Sequence, residues 1–187
     1  MQETSEPILG RRYWLTLLTA VLLAGIGAWL FLAGGLRQLA QSAVPAQMGE
    51  VGQPAPEFVL ERPDGTVTHL ADYRGSVVLL NFWATWCAPC RAEMPEIEQI
   101  YQRNRERGFE VFAINLQESP TEVQTFMADL GLSFPALLDR DGGTSRAYRA
   151  RALPSSFLID RKGTVQYVRI GTLTHDTLEE ELRKVGL

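Results

Sequence analysis

The stretch that most constrains this chain is residues 79–95, LLNFWATWCAPCRAEMP, which holds both of its cysteines. An apolar run typical of a buried strand ends at Trp86, and a helical pattern begins at the cysteines. Cys87 and Cys90 would close a loop so short that a bridge there stabilises a fold by only about 2 kcal/mol. The spacing therefore favours a reversible redox pair, while a structural disulfide stays open as the alternative.

The junction between strand and helix predicts different roles for the two thiols. Cys87 is expected at the helix N-terminus, where free backbone N–H groups and the positive end of the helix dipole stabilise a thiolate. Pro89 falls in the first helical turn, where the missing N–H costs nothing. Cys90 is expected one helical turn further along the helix than Cys87. We therefore predict that Cys87 is the exposed nucleophile and that Cys90 is the shielded thiol that resolves a mixed disulfide.

A metal site is the second alternative for the cysteine pair. A Cys-x-x-Cys metal site needs further ligands, and the sequence offers only His69 and His175 besides the carboxylates. Both histidines are expected at the surface, in a hairpin and at a helix start. We therefore predict no metal and no cofactor other than the redox-active pair, although two thiolates alone would suit Cu(I).

The N-terminal segment is strongly apolar. No charged residue occurs from 13 to 36, and a helix over this stretch is long enough to cross a bilayer. Arg11 and Arg12 precede the stretch and Arg37 follows it, so the positive-inside rule places the N-terminus in the cytoplasm. The remaining chain would then lie in an oxidising extracytoplasmic space. A cleaved signal peptide, with QSAVPAQ as its cleavage region, is the alternative.

These features divide the chain into four parts. We predict a cytoplasmic tail over 1–12, a transmembrane anchor over 13–36, a linker over 37–52 and one globular domain over 53–187. The formal net charge of −4 shows no excess of basic residues of the kind that nucleic-acid-binding proteins carry. A single-pass protein with its domain in the periplasm or another extracytoplasmic compartment is expected.

Strands and helices alternate within the predicted domain. A β-hairpin with its turn at Pro63-Asp64-Gly65 comes first, and a second hairpin with its turn at Lys162-Gly163 comes near the end. Between and after the hairpins, the hydrophobic patterns predict two buried strands and three longer helices. These are the strands 77–82 and 109–116 and the helices 90–107, 119–130 and 174–185. The pattern indicates an α/β sheet covered by helices.

The motif FWATWCAPC, followed downstream by LPSSFLID, resembles the thioredoxin superfamily. It is more closely similar to the membrane-anchored TlpA/ResA-like thiol–disulfide oxidoreductases, from about Val51 to the C-terminus. The resemblance implies a thioredoxin-like fold, in which a central mixed β-sheet is flanked by helices. It also implies an N-terminal β-hairpin and a helical insertion after the second buried strand, preceded by one transmembrane helix.

The resemblance also assigns residues to a substrate groove. Pro154 matches the family's cis-proline, which faces the dithiol. Trp86, which precedes Cys87, and Pro89, which lies between the two cysteines, are assigned to the same groove. An ordinary proline at a strand edge is the alternative for Pro154.

One position departs from thioredoxin. Asn81 stands where thioredoxin has a buried aspartate that handles the proton of the second thiol, and an amide cannot titrate. Glu93 matches an active-site glutamate of the membrane-anchored branch and lies on the same helix face as Cys90. We therefore expect Glu93 to be the third catalytic residue. The alternative, that Glu93 is a solvent-exposed glutamate without a catalytic role, stays open.

The resemblance implies a protein-disulfide reductase that is recharged by an integral-membrane thiol donor. Its expected clients are the CXXCH thiols of apocytochrome c before haem attachment, which places it in cytochrome c-type biogenesis. A general reductase or oxidase of exported proteins and a Cu(I)-delivery module are the alternatives. A peroxiredoxin is less favoured, since Cys-x-x-Cys is not its usual layout.

Overall fold

A computed structural model describes residues 18–26, 29 and 49–187 of the chain. The chain divides into two units, 1–45 and 46–187. In the first unit, residues 18–26 and 29 are helical, and their large apolar side chains are exposed. None of the helices in the described ranges is long and apolar enough to cross a membrane. The predicted tail, most of the predicted anchor and most of the linker lie outside the described residues.

The second unit contains seven strands and four α-helices within 49–187, numbered here in chain order. The strands are β1 Val59–Glu61, β2 Val67–His69, β3 Val77–Trp83, β4 Phe109–Leu116, β5 Ala136–Asp139, β6 Ser155–Ile159 and β7 Val165–Ile170. The helices are α1 Ala88–Asn104, α2 Pro120–Asp129, α3 Gly143–Ala147 and α4 His175–Lys184. Short 3-10 turns occur at Leu70–Tyr73 and Arg105–Arg107.

The strands form one mixed sheet in the order β2-β1-β5-β4-β3-β6-β7. The strands β3, β4 and β5 run parallel, whereas β6 pairs antiparallel with β3 and β7 pairs antiparallel with β6. The parallel strands therefore end at the same edge of the sheet. The segment that carries the cysteines begins at this edge, directly after β3.

The sheet is covered by hydrophobic clusters on both faces. Side chains of α1, α2 and α4 pack against one face, including Met94, Phe126 and Leu178. On the other face, residues near β1 and α3 pack against β4 and β6, with Phe112 and Phe157 at the centre. Because every residue of β3 is buried, this strand rigidly supports the segment that follows it.

The predicted α/β architecture is confirmed for the described domain. Both hairpins form, and the helix α2 after β4 is the expected insertion. Ser119 and Glu122 make a reciprocal capping box at the start of α2. The first long helix differs at both ends from the predicted 90–107. It begins at Ala88 because Cys87 caps it, and it tightens into a 3-10 turn after Asn104.

Candidate active site

A disulfide joins Cys87 and Cys90 at the first turn of α1, with their Cα atoms 5.3 Å apart. Cys87 is the N-cap residue, and its Sγ accepts a hydrogen bond from the Cys90 backbone N–H at 3.3 Å. Pro89 lies within the first two helical positions, as predicted. The same N–H would stabilise a thiolate on Cys87 after reduction, because a donor bonds a charged acceptor more strongly than a neutral one.

The exposure of the two cysteine residues differs less than expected. Cys87 is only 5% exposed and Cys90 is 0% exposed, so the order is as predicted but Cys87 is buried in this oxidised form. The reason is local, because the disulfide turns Cys87 Sγ towards Cys90 and its backbone N–H. Trp86 next to it is 70% exposed. An exposed indole beside a redox pair is a natural contact surface for a protein substrate.

Glu93 lies one turn after Cys90 and is 2% exposed, so it is not a surface glutamate. Its Oε1 accepts from Asn81 Nδ2 at 2.7 Å, and its Oε2 accepts from the Leu173 backbone N–H at 2.7 Å. Asn81 Nδ2 also donates to Ser156 Oγ at 3.0 Å. The carboxylate is therefore held by β3 and by the loop before α4, and its partner Asn81 is tied to β6.

Burial is the main reason that the pKa of Glu93 is raised, from 4.5 to about 7. The hydrogen bonds from Leu173 and Asn81 oppose the rise by stabilising the carboxylate, and the nearby charge of Glu96 adds to it. A carboxyl group with this pKa is divided between its two protonation states near neutral pH. That property suits a group that accepts and returns a proton.

Two buried polar atoms beside this network have no hydrogen-bond partner, namely Asn81 Oδ1 and Trp83 Nε1. Asn81 and Trp83 lie two residues apart on β3, so they point to the same face of the sheet. When Glu93 is protonated, its O–H needs an acceptor. Rotation of the Asn81 amide would supply Oδ1 for this purpose, so Asn81 can serve both protonation states of Glu93.

Pro154 stands immediately before β6, and the Leu153–Pro154 peptide bond is cis, as predicted. Ser156, two residues later, pairs with Asn81 across the sheet and accepts its hydrogen bond. The segment that carries Pro154 is thus joined to the network around Glu93. Of the predicted site residues, the structure places Cys87, Cys90, Pro89 and Trp86 on one continuous segment, with Glu93 directly below the cysteines in α1.

Sequence reasoning misses a second carboxylate, Glu118. It accepts from Thr85 twice, from the backbone N–H at 2.8 Å and from the hydroxyl at 2.5 Å, and from Asn115 Nδ2 at 2.6 Å. These bonds fix the backbone two residues before Cys87. The signal in the sequence is weak, since Asn115 is the last residue but one of β4 and pairs with Trp83 at the end of β3.

No group of three or more metal-ligating side chains occurs within the described ranges. His69 is exposed and His175 begins α4, where it contacts Glu179 and Arg103, so neither lies at the cysteines. Cys87, Cys90 and the titratable carboxyl group of Glu93 all lie on α1 or at its N-cap.

Comparison with known families gives one match over most of the domain. Residues 51–168 match the model of the AhpC/TSA family. The thiol-disulfide oxidoreductase ResA of Geobacillus kaustophilus is 41% identical over 135 residues, which cover 72% of this chain and 78% of that protein. ResA of Bacillus subtilis is 39% identical over 134 residues, covering 72% of this chain and 75% of that protein.

Solved structures show the same similarity in three dimensions. A crystal structure from Chlorobium tepidum, assigned as the thiol:disulfide interchange protein DsbE, superposes with a TM-score of 0.68 at 37% identity. The superposition covers 73% of this chain and 97% of the Chlorobium chain.

Proposed function

This chain belongs to the AhpC/TSA family and is a thiol–disulfide oxidoreductase. On that premise we propose that it reduces disulfides of exported proteins, and that a single-pass membrane anchor holds its catalytic domain on the extracytoplasmic side. The observation that carries the proposal is the buried carboxyl group of Glu93 one turn below the Cys87–Cys90 pair. A disulfide that served only as a staple would need no titratable partner in the core, where burial of a carboxylate is unfavourable.

The reaction begins with the reduced pair. Cys87 thiolate attacks one sulfur of the client disulfide, which forms a mixed disulfide and releases the first client thiolate. Cys90 then attacks Cys87 Sγ, which releases the second client thiolate and closes the Cys87–Cys90 disulfide. Two electrons pass to the client in this sequence, so a dithiol donor must restore the pair before the next cycle.

The second step requires that Cys90 lose its proton inside the core. The Glu93 carboxylate is one turn away and accepts that proton as the Cys90 thiolate forms. Asn81 and the Leu173 N–H hold the carboxylate in place, and rotation of the Asn81 amide accommodates the protonated acid. Glu93 returns the proton to solvent or to the departing client thiolate before the next turnover.

The substrate groove is proposed to lie along Trp86, Pro89 and Pro154. Trp86 is exposed and supplies apolar contact area, and Pro154 immediately precedes β6, the strand that pairs with β3. A client backbone would lie beside the segment that leads to Pro154. This arrangement brings the client sulfur to Cys87, at the free end of α1.

The location outside the cell rests on the N-terminal segment. The uncharged stretch 13–36 and the arginines before it predict a single-pass anchor with a cytoplasmic N-terminus. The described helical residues 18–26 and 29 expose large apolar side chains, which supports burial of that surface in lipid. A tether of this kind raises the effective concentration of the domain near an integral-membrane thiol donor.

The proposed clients are CXXCH segments of apocytochrome c. Relatives named ResA support the thiol–disulfide chemistry, and the cytochrome client rests on the resemblance of FWATWCAPC and LPSSFLID to the anchored branch. The reduced pair is the only redox group that the proposal requires.

The experiment tests both the direction of electron transfer and the location of the catalytic domain. Alkylation of intact cells should trap Cys87 and Cys90 mainly as thiols, and a protease added outside the inner membrane should degrade the domain. The purified, reduced full-length chain should convert a disulfide-bonded CXXCH peptide to its dithiol with one peptide reduced per chain. A pair that is mostly disulfide in cells and oxidises reduced peptides would overturn the proposed direction. Protection of the domain from external protease would overturn the location.

A further inference from the structure

A cavity of about 560 Å³ lies at the edge of the sheet where β4 and β5 end. Its lining combines exposed nitrogen donors with a floor of small buried residues. The donors are Gln117, Arg146, Arg149 and Arg151, and the floor includes Gly142, Ser145 and Ala150. Neither the disulfide chemistry nor the proton transfer described above uses any of these residues.

The cavity is positively charged on a chain whose formal net charge is −4. Arg149 pairs with Glu50 at 3.3 Å, but both side chains are about half exposed, so that pair is weak and exchangeable. Arg146 donates through Nη1 to the Asp141 backbone oxygen at 2.8 Å. Arg151 makes no ion pair within the described part of the chain. The guanidinium groups are therefore largely free to bind an anion.

Two of the donors converge above Gly142. A Cβ atom at this position would lie 3.1 Å from Arg146 Nη1 and 3.5 Å from Gln117 Nε2, so glycine leaves room for both nitrogens. Two residues of the cavity lining also have an unusual backbone conformation. Gln117 and Arg149 have φ angles of 60° and 54°, and they are the non-glycine residues with left-handed φ within the described ranges. Strained residues that gather around one cavity point to a functional surface.

Two chain segments lead from the cavity lining to the redox site. Arg151 lines the cavity and precedes Pro154 of the proposed client groove by three residues. Gln117 precedes Glu118, whose carboxylate holds Thr85 beside Trp86. A client bound along this groove would place the residues that flank its disulfide near the arginines.

We infer that this cavity binds carboxylate side chains that flank the disulfide of a client protein. Arginine presents a planar fork of N–H donors that matches a carboxylate, and several forks at one edge would select acidic over neutral segments. The inference rests on the proposed function and adds a substrate preference to it.

The experiment uses the reduced full-length chain in a neutral detergent and two disulfide peptides. The peptides share one Cys-X-X-Cys disulfide and differ only in flanking Asp and Glu against Asn and Gln. In parallel reactions dithiothreitol reduces both peptides, and the rate of each peptide with the protein is divided by its rate with dithiothreitol. This correction removes the direct effect of the carboxylates on the leaving thiol. At low salt the acidic peptide should react about fivefold faster after this correction, as expected for one or two half-exposed ion pairs. Added salt should remove the preference.

A double variant, Arg146→Gln with Arg151→Gln, should bring the corrected ratio of the two rates close to one. Arg183→Gln in α4 is the matched control and should keep the wild-type ratio. Equal rates for both peptides with the wild-type chain, or an unchanged ratio in the double variant, would overturn the inference while leaving the proposed function intact. Equal slowing of both peptides by inorganic phosphate at low salt would also overturn it, because the cavity would then bind anions without selecting clients. If neither peptide is reduced, the proposed function itself fails and the inference falls with it.

Discussion

Replacement of Glu93 by glutamine should change how stability depends on pH. The pKa of Glu93 is about 7 in the folded protein and 4.5 in the reference state, so folding favours its protonated form. That difference corresponds to roughly 3 kcal/mol, at about 1.4 kcal/mol for each tenfold change in the ionisation constant. Below about pH 4.5 Glu93 is protonated in both the folded and the unfolded state, and the full contribution of roughly 3 kcal/mol to the unfolding free energy is present. It is lost as the pH rises to about 7 and stays lost above that value.

The assay is denaturation of the oxidised full-length chain by guanidinium chloride at a series of pH values. The unfolding free energy of wild type minus that of Glu93→Gln should fall by roughly 3 kcal/mol between about pH 4.5 and about pH 8. Taking the difference between the two chains removes the contributions of other titrating groups. Glu106→Gln, at an exposed glutamate in the turn after α1, is the control and should show no such fall.

The same substitution tests the proposed proton transfer. Glutamine cannot accept a proton, so the step in which Cys90 resolves a mixed disulfide should slow by about 100-fold near pH 7, the lower range for general-base catalysis. The wild-type rate of that step should rise through pH 7, and the variant should lose this inflection. A difference in unfolding free energy that is constant with pH, together with unchanged resolution rates, would refute the role given to Glu93.

Further substitutions test the neighbours of the site and the fold around it. Asn81→Leu removes a donor that stabilises the charged Glu93 carboxylate more than a rotated amide oxygen stabilises the neutral acid, so the pH range over which stability is lost should move upwards. An unmoved range in the same denaturation series would contradict the network. Glu118→Gln replaces one of the two oxygens that accept from Thr85 by an NH2 group, so one Thr85 donor loses its partner. Hydrogen exchange at the amides of residues 85–87 should then become faster, with about 1–3 kcal/mol less protection. Ser119→Ala removes the capping box of α2 and should lower the unfolding free energy by about 1 kcal/mol; no change would mean that the cap is not formed in solution.

Local patterns predict most of the fold. The continuous apolar runs of β3 and β4, the turns of both hairpins and the cap of α2 all depend on residues close together in the sequence. The helix after β3 was predictable in kind but not in its start, since Cys87 caps it through a side chain that hydrophobic periodicity does not detect.

The candidate site is predictable only in part, because its contacts join distant segments. The cysteines and Pro89 lie together in the sequence, and the resemblance to a family supplied Glu93 and Pro154. The Leu173 N–H that holds Glu93 comes from 80 residues further along the chain, and the carboxylate that holds Thr85 comes from 33 residues further. No local pattern predicts such pairs. The arginine-lined cavity likewise forms only when β4 and the segment after β5 meet at one edge of the sheet.

In the proposed reaction, Cys87 attacks the client and Cys90 resolves the mixed disulfide. The most direct test incubates the reduced full-length Cys90→Ser and Cys87→Ser variants with one disulfide peptide and measures the covalent adduct by mass spectrometry. We expect Cys90→Ser to accumulate a stable adduct through Cys87. Cys87→Ser should form little adduct, because Cys90 lies within the first turn of α1 and is fully buried, whereas Cys87 caps the helix. An adduct that forms equally in both variants, or only in Cys87→Ser, would contradict the assigned roles.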